Sequence, residues 1–417
     1  MAGSLAALLA AAQSQPWHIK LAGLAAYTLA SAFALRAGSA AVAGPTRRLA
    51  LALLCVAGNA AVPLLFHRTR EGVSVAFSAF ILTWLASFKA LALAVGRGPL
   101  AQQRWRPLQF WALYALPLVP AAPPTAAAPR RRPSRLKLGG PGEPAHLLLR
   151  WLAKAAVTAG VVFCLLLEVP PFARTCLYVL GIYSMLGVVM DGPAALVLRP
   201  LRLDLAPHFL PPWESASLAE FWGSRWNQAA GSSLRTTIYD PIVEGSLVDW
   251  QQLATLTVSS SAGGSSSANG NRGRRRSARL AAAAAKEAAA AQGGGLAGAR
   301  LAGMAACFLA SGAVHELIFW YVEGHVTAQL AWLLFFIGQV PLILGERWLL
   351  GQLKAAGVRL PELARQALTL GVLLATSHRW FFQPAEAAGL PALFAASMRE
   401  SYAALVALPL RLLGGTA

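Results

Sequence analysis

Charged residues are scarce in this sequence. Only 13% of its 417 residues are Asp, Glu, Lys or Arg, whereas 56% are hydrophobic. A soluble domain carries about 25% charged residues, so this chain has roughly half of the usual solubilising charge. Its apolar residues also lie in long blocks, several of which reach the length of about 20 residues that one helix needs to cross a bilayer. The sequence therefore predicts a membrane protein rather than a soluble domain.

Cysteines and leader signals are sparse as well. The four cysteines lie in apolar segments without CxxC spacing, which excludes a disulfide framework and a cysteine-rich zinc site and is typical of small core residues. Residues 1–12 are apolar but lack a basic region, so we expect the first true span, rather than a signal peptide, to insert the chain. No internal repeat is visible, which argues against an inverted-repeat transporter. The cysteines are Cys55, Cys164, Cys176 and Cys307.

Positive charge is the exception to this scarcity. Lys and Arg outnumber Asp and Glu by 36 to 17, which gives a formal net charge of +19. These cations lie mostly in short loops and in one low-complexity stretch, without the interleaved aromatic residues on which nucleic acid bases stack. They are typical of loops that flank membrane spans and contact anionic lipid. We therefore expect membrane lipids, and no nucleic acid, as partners.

The apolar blocks predict an all-α, polytopic transmembrane helical bundle of about eight to ten spans in a single domain over residues 1–417. Two stretches are expected to lie outside the bundle. Residues 123–144 form a Pro- and Arg-rich loop, and residues 259–295 form a disordered low-complexity insertion that cannot bury a core. Residues 199–250 mix aromatic, charged and apolar side chains and are predicted to be interfacial. The predicted spans are 21–42, 49–66, 73–95, 108–122 (short), 147–167, 172–189, 301–322, 326–344, 363–382 and 392–413.

His315 lies in the middle of the predicted span 301–322. An ionisable side chain at membrane depth is costly, so a functional role is the default interpretation. Histidine is the natural general base near neutral pH. On a helix, Ser311 would lie one turn before His315 with Gly312 beside it, which leaves room for a substrate. The alternative is a buried histidine that hydrogen-bonds to a neighbouring helix.

The neighbouring Glu316 completes an ionisable pair but not a metal site. His315-Glu316 begins an HExxH string whose fifth position is Phe319, so the paired histidines of a zinc protease are missing and no metal is expected. On a helix Glu316 points about 100° away from His315. We expect it to orient or support the site rather than to act as the base.

A second group of candidate residues follows at positions 217–231. Trp222 and Trp226 would share one face of a helix, and Asn227 would have Gly223 and Gly231 one turn away on either side. This arrangement predicts a glycine-floored groove that contains an amide able to donate and to accept hydrogen bonds. The alternative is an amphipathic interfacial helix that its tryptophans anchor at headgroup depth.

A helix start is also predicted here. Ser217 lies three residues before Glu220, which fits a capping box. Arg225 follows within the same segment.

Several short segments, in this order along the chain, closely resemble the plant wax synthase-like branch of the membrane-bound O-acyltransferases. They are TWLASFK at 83–89, EFWGSRWN at 220–227, LR at 234–235, YDP at 239–241 and FLASGAVHEL at 308–317. Their joint occurrence is far more specific than any one of them. The resemblance extends from about residue 63 to the C-terminal spans, with the wax synthase-like region at about 198–300 and the histidine span after it.

The resemblance implies an acyl-CoA-dependent long-chain-alcohol O-fatty-acyltransferase with a reaction chamber inside the membrane. His315 would be the catalytic base, and Asn227 its catalytic partner on the acyl donor. Acyl-CoA and a lipid alcohol would be the substrates, without a metal or a further cofactor. Location in the endoplasmic reticulum membrane and a homodimer are also expected. The substrate-binding residues would be Trp222, Arg225, Trp226, Ser311 and Glu316, with pairing of Arg225 to Glu220 or to lipid phosphate as its alternative role.

The other ionisable residues near predicted spans receive structural interpretations. Lys89, inside the span 73–95, is expected to snorkel toward the interface. Asp191 and Glu168 are interpreted as span-edge carboxylates that pair with loop arginines.

Two alternatives to wax ester synthesis stay open at this point. A sterol acyltransferase belongs to the same class of enzyme, and acceptor choice depends on the shape of the chamber. A transporter or channel is a different class, in which His315 and Glu316 would relay protons.

Overall fold

The computed structural model describes residues 2–40, 45–103, 105–121, 144–249, 252–253 and 293–400. Within these ranges the regular elements are helices, and the extended pairing consists of one isolated bridge between Pro120 and Leu205. The all-α prediction is therefore confirmed. The predicted loop 123–144 and insertion 259–295 lie almost entirely outside the described residues, as does the predicted span 392–413 beyond residue 400.

The α-helices carry the following labels: α1 (Ala2–Gln13), α2 (Trp17–Ala40), α3 (Pro45–Ala61), α4 (Gly72–Ser78), α5 (Ser87–Ala94), α6 (Pro99–Gln102), α7 (Pro107–Ala115), α8 (Pro144–Leu165), α9 (Pro171–Leu201), α10 (Leu218–Glu220), α11 (Gln228–Leu234), α12 (Asp240–Glu244), α13 (Gly293–Glu323), α14 (Ala331–Ala355), α15 (Glu362–Ser377) and α16 (Gln383–Ala387). Residues 390–400 are also helical. Short 3-10 helices occur at Val62–Leu65, Pro212–Glu214 and Ala328–Leu330.

Seven helical stretches in the described part of the chain are long and apolar enough to cross a bilayer. The chain is therefore a multi-pass membrane protein. Two other predicted spans are not among the seven. The span 108–122 contains only residues 108–115 of α7, which are too few to cross a bilayer, whereas 363–382 is helical throughout, in α15 and the π segment that follows it. The seven stretches are Trp17–Gly38, Thr46–Leu65, Gly72–Gln102, Leu147–Leu165, Pro171–Leu201, Gly295–Glu323 and Ala328–Ala355.

Two helical hairpins frame the interior. Helices α8 and α9 pack against each other, and so do α13 and α14, which a short turn connects. Gly312 of α13 lies directly against Leu333 of α14, because a Cβ atom at position 312 would approach the Leu333 Cα within 2.9 Å. Gly312 therefore allows close helix packing. The expectation that it borders a substrate is wrong, since its face is covered by α14.

Four segments of the chain form wide π-helical turns: Ala79–Ala86, Phe221–Arg225, Arg235–Tyr239 and His378–Phe382. Such turns are rare and are frequent at functional sites. Each of the four contributes side chains to the same interior cavity. The π turns are therefore concentrated around one space in the molecule.

Lys89 does not snorkel, contrary to the prediction. It is buried, and its Nζ donates hydrogen bonds to the carbonyls of Leu113 (2.6 Å) and Leu116 (2.7 Å). These carbonyls lie at the end of α7, where the helix leaves its last C=O groups without helical partners. The ammonium therefore caps α7 inside the protein, where it supplies the donors that these carbonyls need.

The predicted interpretation of Asp191 is also wrong. Helix α9 continues past residue 189 to Leu201, so Asp191 lies within the helix rather than at a span edge. It is buried and pairs with Lys154 of α8 and with His208, not with a loop arginine. An intramembrane carboxylate is tolerated here because cationic and N–H groups surround it.

We predict that Lys89→Met destabilises the fold by about 3 kcal/mol, because it leaves two buried carbonyls without donors. Lys354→Met is the matched control, since Lys354 is exposed in the last turn of α14. The fraction of protein that stays monodisperse after heating in detergent measures the difference. Equal losses in the two variants would contradict the capping role of Lys89.

Candidate active site

A large cavity lies inside the helical bundle, with a volume of about 1650 Å3. Pockets for drug-sized ligands enclose roughly 300–1,000 Å3, so this cavity has room for two lipid chains. Its walls are mainly aliphatic and aromatic and come from α9, α13, α14, α15 and all four π segments. Such a lining favours long apolar ligands. The few polar groups in it therefore decide what chemistry the cavity supports.

His315 lines this cavity from the middle of α13. Its Nδ1 lies 2.7 Å from the backbone carbonyl of Ser311, one turn earlier. A carbonyl oxygen only accepts hydrogen bonds, so Nδ1 carries the proton and donates it. The Nε2 atom of the neutral ring consequently keeps a free lone pair. The helix backbone itself thus fixes the tautomer that a general base requires.

Aromatic rings enclose the imidazole of His315. The ring centroid of Phe336 lies 4.2 Å from the imidazole centroid in a tilted arrangement. The ring of Trp84 meets the imidazole edge to face, with a centroid distance of 5.4 Å. Phe381 and Trp332 complete the enclosure at 6.1 Å and 6.2 Å. Bulky rings on these sides restrict rotation of the imidazole and exclude water from it.

Asn227 lines the same cavity at a break between two helical segments, the π segment Phe221–Arg225 and α11. Its φ of 37° lies in the left-handed region, which Asn tolerates better than most residues. Its Oδ1 accepts a hydrogen bond from the Ala230 N–H (3.2 Å) and so caps α11. The Nδ2 group has no hydrogen-bond partner in the described ranges. The side chain therefore offers the cavity a donor.

The break at Asn227 corrects the predicted helix over residues 222–231. Trp226 is extended, with φ −90° and ψ 132°, so Trp222 and Trp226 do not share a helical face. The predicted capping contact at the start of α10 is present, since Ser217 Oγ accepts from Glu220 N (3.1 Å). Gly223 lines the cavity in spite of the break. The prediction that it forms the floor of a helical groove is wrong, because the helix does not continue through Trp226.

Trp222 and Trp226 both line the cavity but have different neighbours. The Trp222 indole N–H donates to Gln339 Oε1 (3.1 Å), and Gln339 is completely buried. The ring of Trp226 stacks on Phe221 at 5.4 Å, with an interplanar angle of 16°. Each tryptophan therefore has a fixed orientation in the wall of the cavity.

Arg225 and Glu316 lie outside the cavity lining, whereas Ser311 is part of it. Arg225 Nε donates to Glu220 Oε1 (2.8 Å), and its Nη1 donates to Glu214 Oε2 (3.2 Å). The structural pairing with Glu220, one of the two alternatives for this arginine, is thus the observed arrangement. Its guanidinium ties the two ends of the segment 214–225 together.

The Glu316 carboxylate is fully engaged at the turn between α13 and α14. It accepts hydrogen bonds from Thr327 N (2.8 Å), Thr327 Oγ1 (2.5 Å) and Leu333 N (3.1 Å). These contacts agree with the supporting role expected for Glu316 and leave its carboxylate away from the substrate space. The turn that it braces carries α14, and with it the Phe336 ring against His315.

Two basic side chains line one end of the cavity. Arg300 lies near the start of α13 and Arg347 near the end of α14, and these helices form an antiparallel hairpin, so the two side chains belong to the same end. Neither makes an ion pair with a residue in the described part of the chain. They are suited to polyanionic groups. Among the described residues, no group of three or more His, Cys, Asp or Glu side chains could hold a metal ion.

Several wall residues were not identified from the sequence. Phe336 and Phe381 sit in apolar segments where nothing distinguishes them from core aromatics. Gln339, which holds Trp222 from behind the wall, did carry a signal, because it is a polar residue in the middle of the predicted span 326–344. Trp84 lies within the TWLASFK segment and was part of the resemblance without a role of its own.

Comparison with known proteins yields a consistent set of relatives. Probable long-chain-alcohol O-fatty-acyltransferase 3 of Arabidopsis thaliana is 26% identical over 322 residues, which are 75% of this chain and 74% of that protein. Acyl-CoA–sterol O-acyltransferase 1 of Arabidopsis thaliana is 29% identical over 167 residues, 40% of this chain and 47% of that protein. The long-chain-alcohol O-fatty-acyltransferase of Simmondsia chinensis is 28% identical over 173 residues, 40% of this chain and 46% of that protein.

The extent of these matches differs between relatives. The chain spans about half the length of the sterol acyltransferase and of the Simmondsia protein, and about three quarters of the length of probable long-chain-alcohol O-fatty-acyltransferase 3. No family model matches the chain. The relatives confirm the resemblance that the short segments carry.

We predict that Glu316→Gln lowers the free energy of unfolding by about 2 kcal/mol, because three hydrogen bonds lose their charged acceptor. Glu323→Gln is the control, since Glu323 ends α13 next to the turn and has no hydrogen bond or ion pair among the described residues. The melting temperature of each variant in detergent measures the effect. Identical melting temperatures would show that the carboxylate does not brace the turn.

Proposed function

The chain is a membrane-embedded homologue of the plant long-chain-alcohol O-fatty-acyltransferases, and from that premise we propose that it transfers a fatty acyl group from acyl-CoA to a long-chain alcohol. The product is a wax ester, and the free thiol of CoA is released. One observation carries the proposal. A neutral imidazole with a free Nε2 and an amide with a free N–H line the same apolar cavity.

His315 acts as the general base. Its Nε2 accepts the proton of the alcohol hydroxyl while the oxygen forms a bond to the thioester carbonyl carbon. The hydrogen bond from Nδ1 to the Ser311 carbonyl (2.7 Å) holds the ring in this tautomer and stabilises the imidazolium that forms. When the bond from carbon to sulfur breaks, the imidazolium returns the proton to the leaving thiolate. Protons and electrons balance without a metal or a further cofactor.

Asn227 acts on the acyl donor. Because its Oδ1 is held by the Ala230 N–H, its Nδ2 is the group that points to ligands, and it donates to the thioester carbonyl oxygen. Negative charge develops on that oxygen in the tetrahedral intermediate, and a fixed donor in dry surroundings stabilises it. The aromatic wall around His315 keeps water out, which would otherwise compete with the alcohol as acceptor.

The basic end of the cavity suits the CoA part of the donor, and the apolar walls suit its acyl chain. Arg300 and Arg347 lie where the phosphates of CoA would enter, and they attract a polyanion from the aqueous side. The apolar walls accept the acyl chain and the chain of the alcohol. A sterol is the second candidate acceptor, because one relative is an acyl-CoA–sterol O-acyltransferase. The resemblance also supports location in the endoplasmic reticulum and a homodimer, which fluorescence microscopy and light scattering of the purified protein can test.

We predict that His315→Ala abolishes ester formation when the chain is expressed in yeast that makes no neutral lipid of its own and is fed a fatty alcohol. His325→Ala is the control, because His325 is exposed near the turn after α13 and should leave ester yield unchanged. Mass spectrometry of extracted lipids, normalised to protein abundance, gives the result. Wax ester at the normal rate from His315→Ala would remove the base assignment, and sterol esters alone from the unmodified chain would change the acceptor.

We predict that Asn227→Asp lowers the turnover number about 100-fold while the protein stays folded. The aspartate keeps an oxygen that caps α11 and tolerates the left-handed backbone, but it replaces the N–H donor with a carboxylate. Asn227→Ala removes the cap as well and should lower both turnover and folded yield. If the aspartate variant retains activity and only the alanine variant fails, the role of Asn227 is structural.

A further inference from the structure

Three ionisable side chains form a buried cluster outside the cavity lining. Lys154 Nζ lies 2.6 Å from Asp191 Oδ2, and His208 Nδ1 lies 2.7 Å from Asp191 Oδ1. The exposed fractions of these side chains are 8% for Lys154, 2% for Asp191 and 3% for His208. Buried charges are expensive, and apolar side chains of the same size would often be as stable. The cluster therefore calls for a role beyond stability.

The contacts of the cluster indicate which of its atoms carry protons. The carboxylate of Asp191 accepts from both neighbours, so His208 donates from Nδ1. The Nε2 atom of His208 is buried without a hydrogen-bond partner in the described ranges, so a second proton there would have no acceptor. The cluster thus consists of one ammonium, one carboxylate and a neutral imidazole, with no net charge. Its geometry is fixed by two short hydrogen bonds.

The backbone beside His208 holds both sides of Asn227. The His208 carbonyl accepts a hydrogen bond from Gln228 N (2.8 Å), and Leu210 N donates to the Arg225 carbonyl (3.0 Å). These two bonds bracket Trp226 and Asn227. The chain 208–210 is therefore the support against which the left-handed turn at Asn227 is formed.

Aromatic contacts make a second connection between the cluster and that turn. Phe209 follows His208, and its ring meets Trp226 edge to face at 5.3 Å and Tyr183 at 5.3 Å. Lys154 Nζ lies 5.2 Å from the Tyr183 centroid and 5.3 Å from the Phe209 centroid, within the range of cation–π attraction. The ammonium thus fixes the ring that packs against Trp226.

A turn of this kind needs such support. The φ of Asn227 is positive, and residues other than glycine that hold this conformation persist where the surroundings over-determine it. A shift of about 1 Å in a group that contacts the reacting atoms can cost a factor of about 100 in rate. The orientation of the Nδ2 group therefore depends on the segment 208–210 and on what holds it.

We propose that His208 and Asp191, with Lys154 as counter-charge, are positioning residues that aim the Asn227 amide at the acyl donor. The inference rests on the function proposed above for Asn227. The cluster itself touches no substrate. It acts through the two backbone hydrogen bonds and the Phe209 ring, so its loss lowers turnover through Asn227 and not through His315.

Two substitutions at position 208 separate this role from simple packing. His208→Asn places an amide N–H where the imidazole Nδ1 donates, and it should keep turnover within about 3-fold of the unmodified chain. His208→Leu fills the space without a donor, and we expect its turnover number to fall about 10-fold with the KM for acyl-CoA unchanged. His325→Leu, at the exposed histidine used above, is the matched control and should have no effect.

A double-mutant cycle tests the route of the effect. If His208 acts through Asn227, His208→Leu causes no further loss of turnover in the Asn227→Asp background. Turnover is measured per folded protein after size-exclusion chromatography in detergent. If the leucine variant does not fold, His208→Gln replaces it in the cycle under the same criterion, because its longer amide cannot reproduce the Nδ1 position.

The outcomes are distinct. Full coupling with rescue by His208→Asn supports the proposal. Losses that multiply in the double variant, or an asparagine variant as slow as the leucine variant, overturn it. Absence of ester from the unmodified chain would instead refute the proposed function, so the two failures are not confused.

Discussion

The hydrogen bond from His315 Nδ1 to the Ser311 carbonyl is the contact on which the chemistry of the cavity depends. A bond of this length within one helix turn needs no second element, so the tautomer of the proposed base is set as soon as α13 forms. Other parts of the fold then place aromatic rings around the imidazole. Glu316 braces the turn that carries α14, and α14 brings Phe336 against the ring. The proposed base, the turn and two of the four enclosing rings, Phe336 and Trp332, thus belong to one hairpin.

Two residues of the candidate site could be found from the sequence, because their polar groups stand out chemically. His315 lies in an apolar span where ionisable residues are rare, and Asn227 lies in a string of tryptophans. The conformation at Asn227 could not be predicted. Residues 218–231 contain good helix formers, and the break arises from backbone pairing with residues 208–210, which lie distant from the helix signals. At this position a tertiary contact overrides the local helix propensity.

The partners of the ionisable residues inside the spans could not be predicted either. The sequence indicates that Lys89 is at membrane depth. It does not indicate whether water or a backbone carbonyl accepts the hydrogen bonds of its ammonium group. In the structure it binds the end of α7, and Lys154 and Asp191 bind each other. Lys154 lies within the predicted span 147–167 and Asp191 lies two residues beyond the end of the next one, so a pair between adjacent helices was the available signal. Partner identity, however, depends on how helices are rotated, which composition does not encode.

Those rotations are governed in part by the four π turns around the cavity. A π turn accommodates more residues than an α turn, so each one shifts the angular phase of everything that follows it on the same helix. Because the wider turn takes up about one extra residue, removal of one residue from Ala79–Ala86 would let the helix relax to ordinary winding and would leave Lys89 close to its present direction. The same removal from an α-helical stretch would rotate every later side chain by about 100°. The π turns are consequently the places in these helices where a change of chain length disturbs the later side chains least.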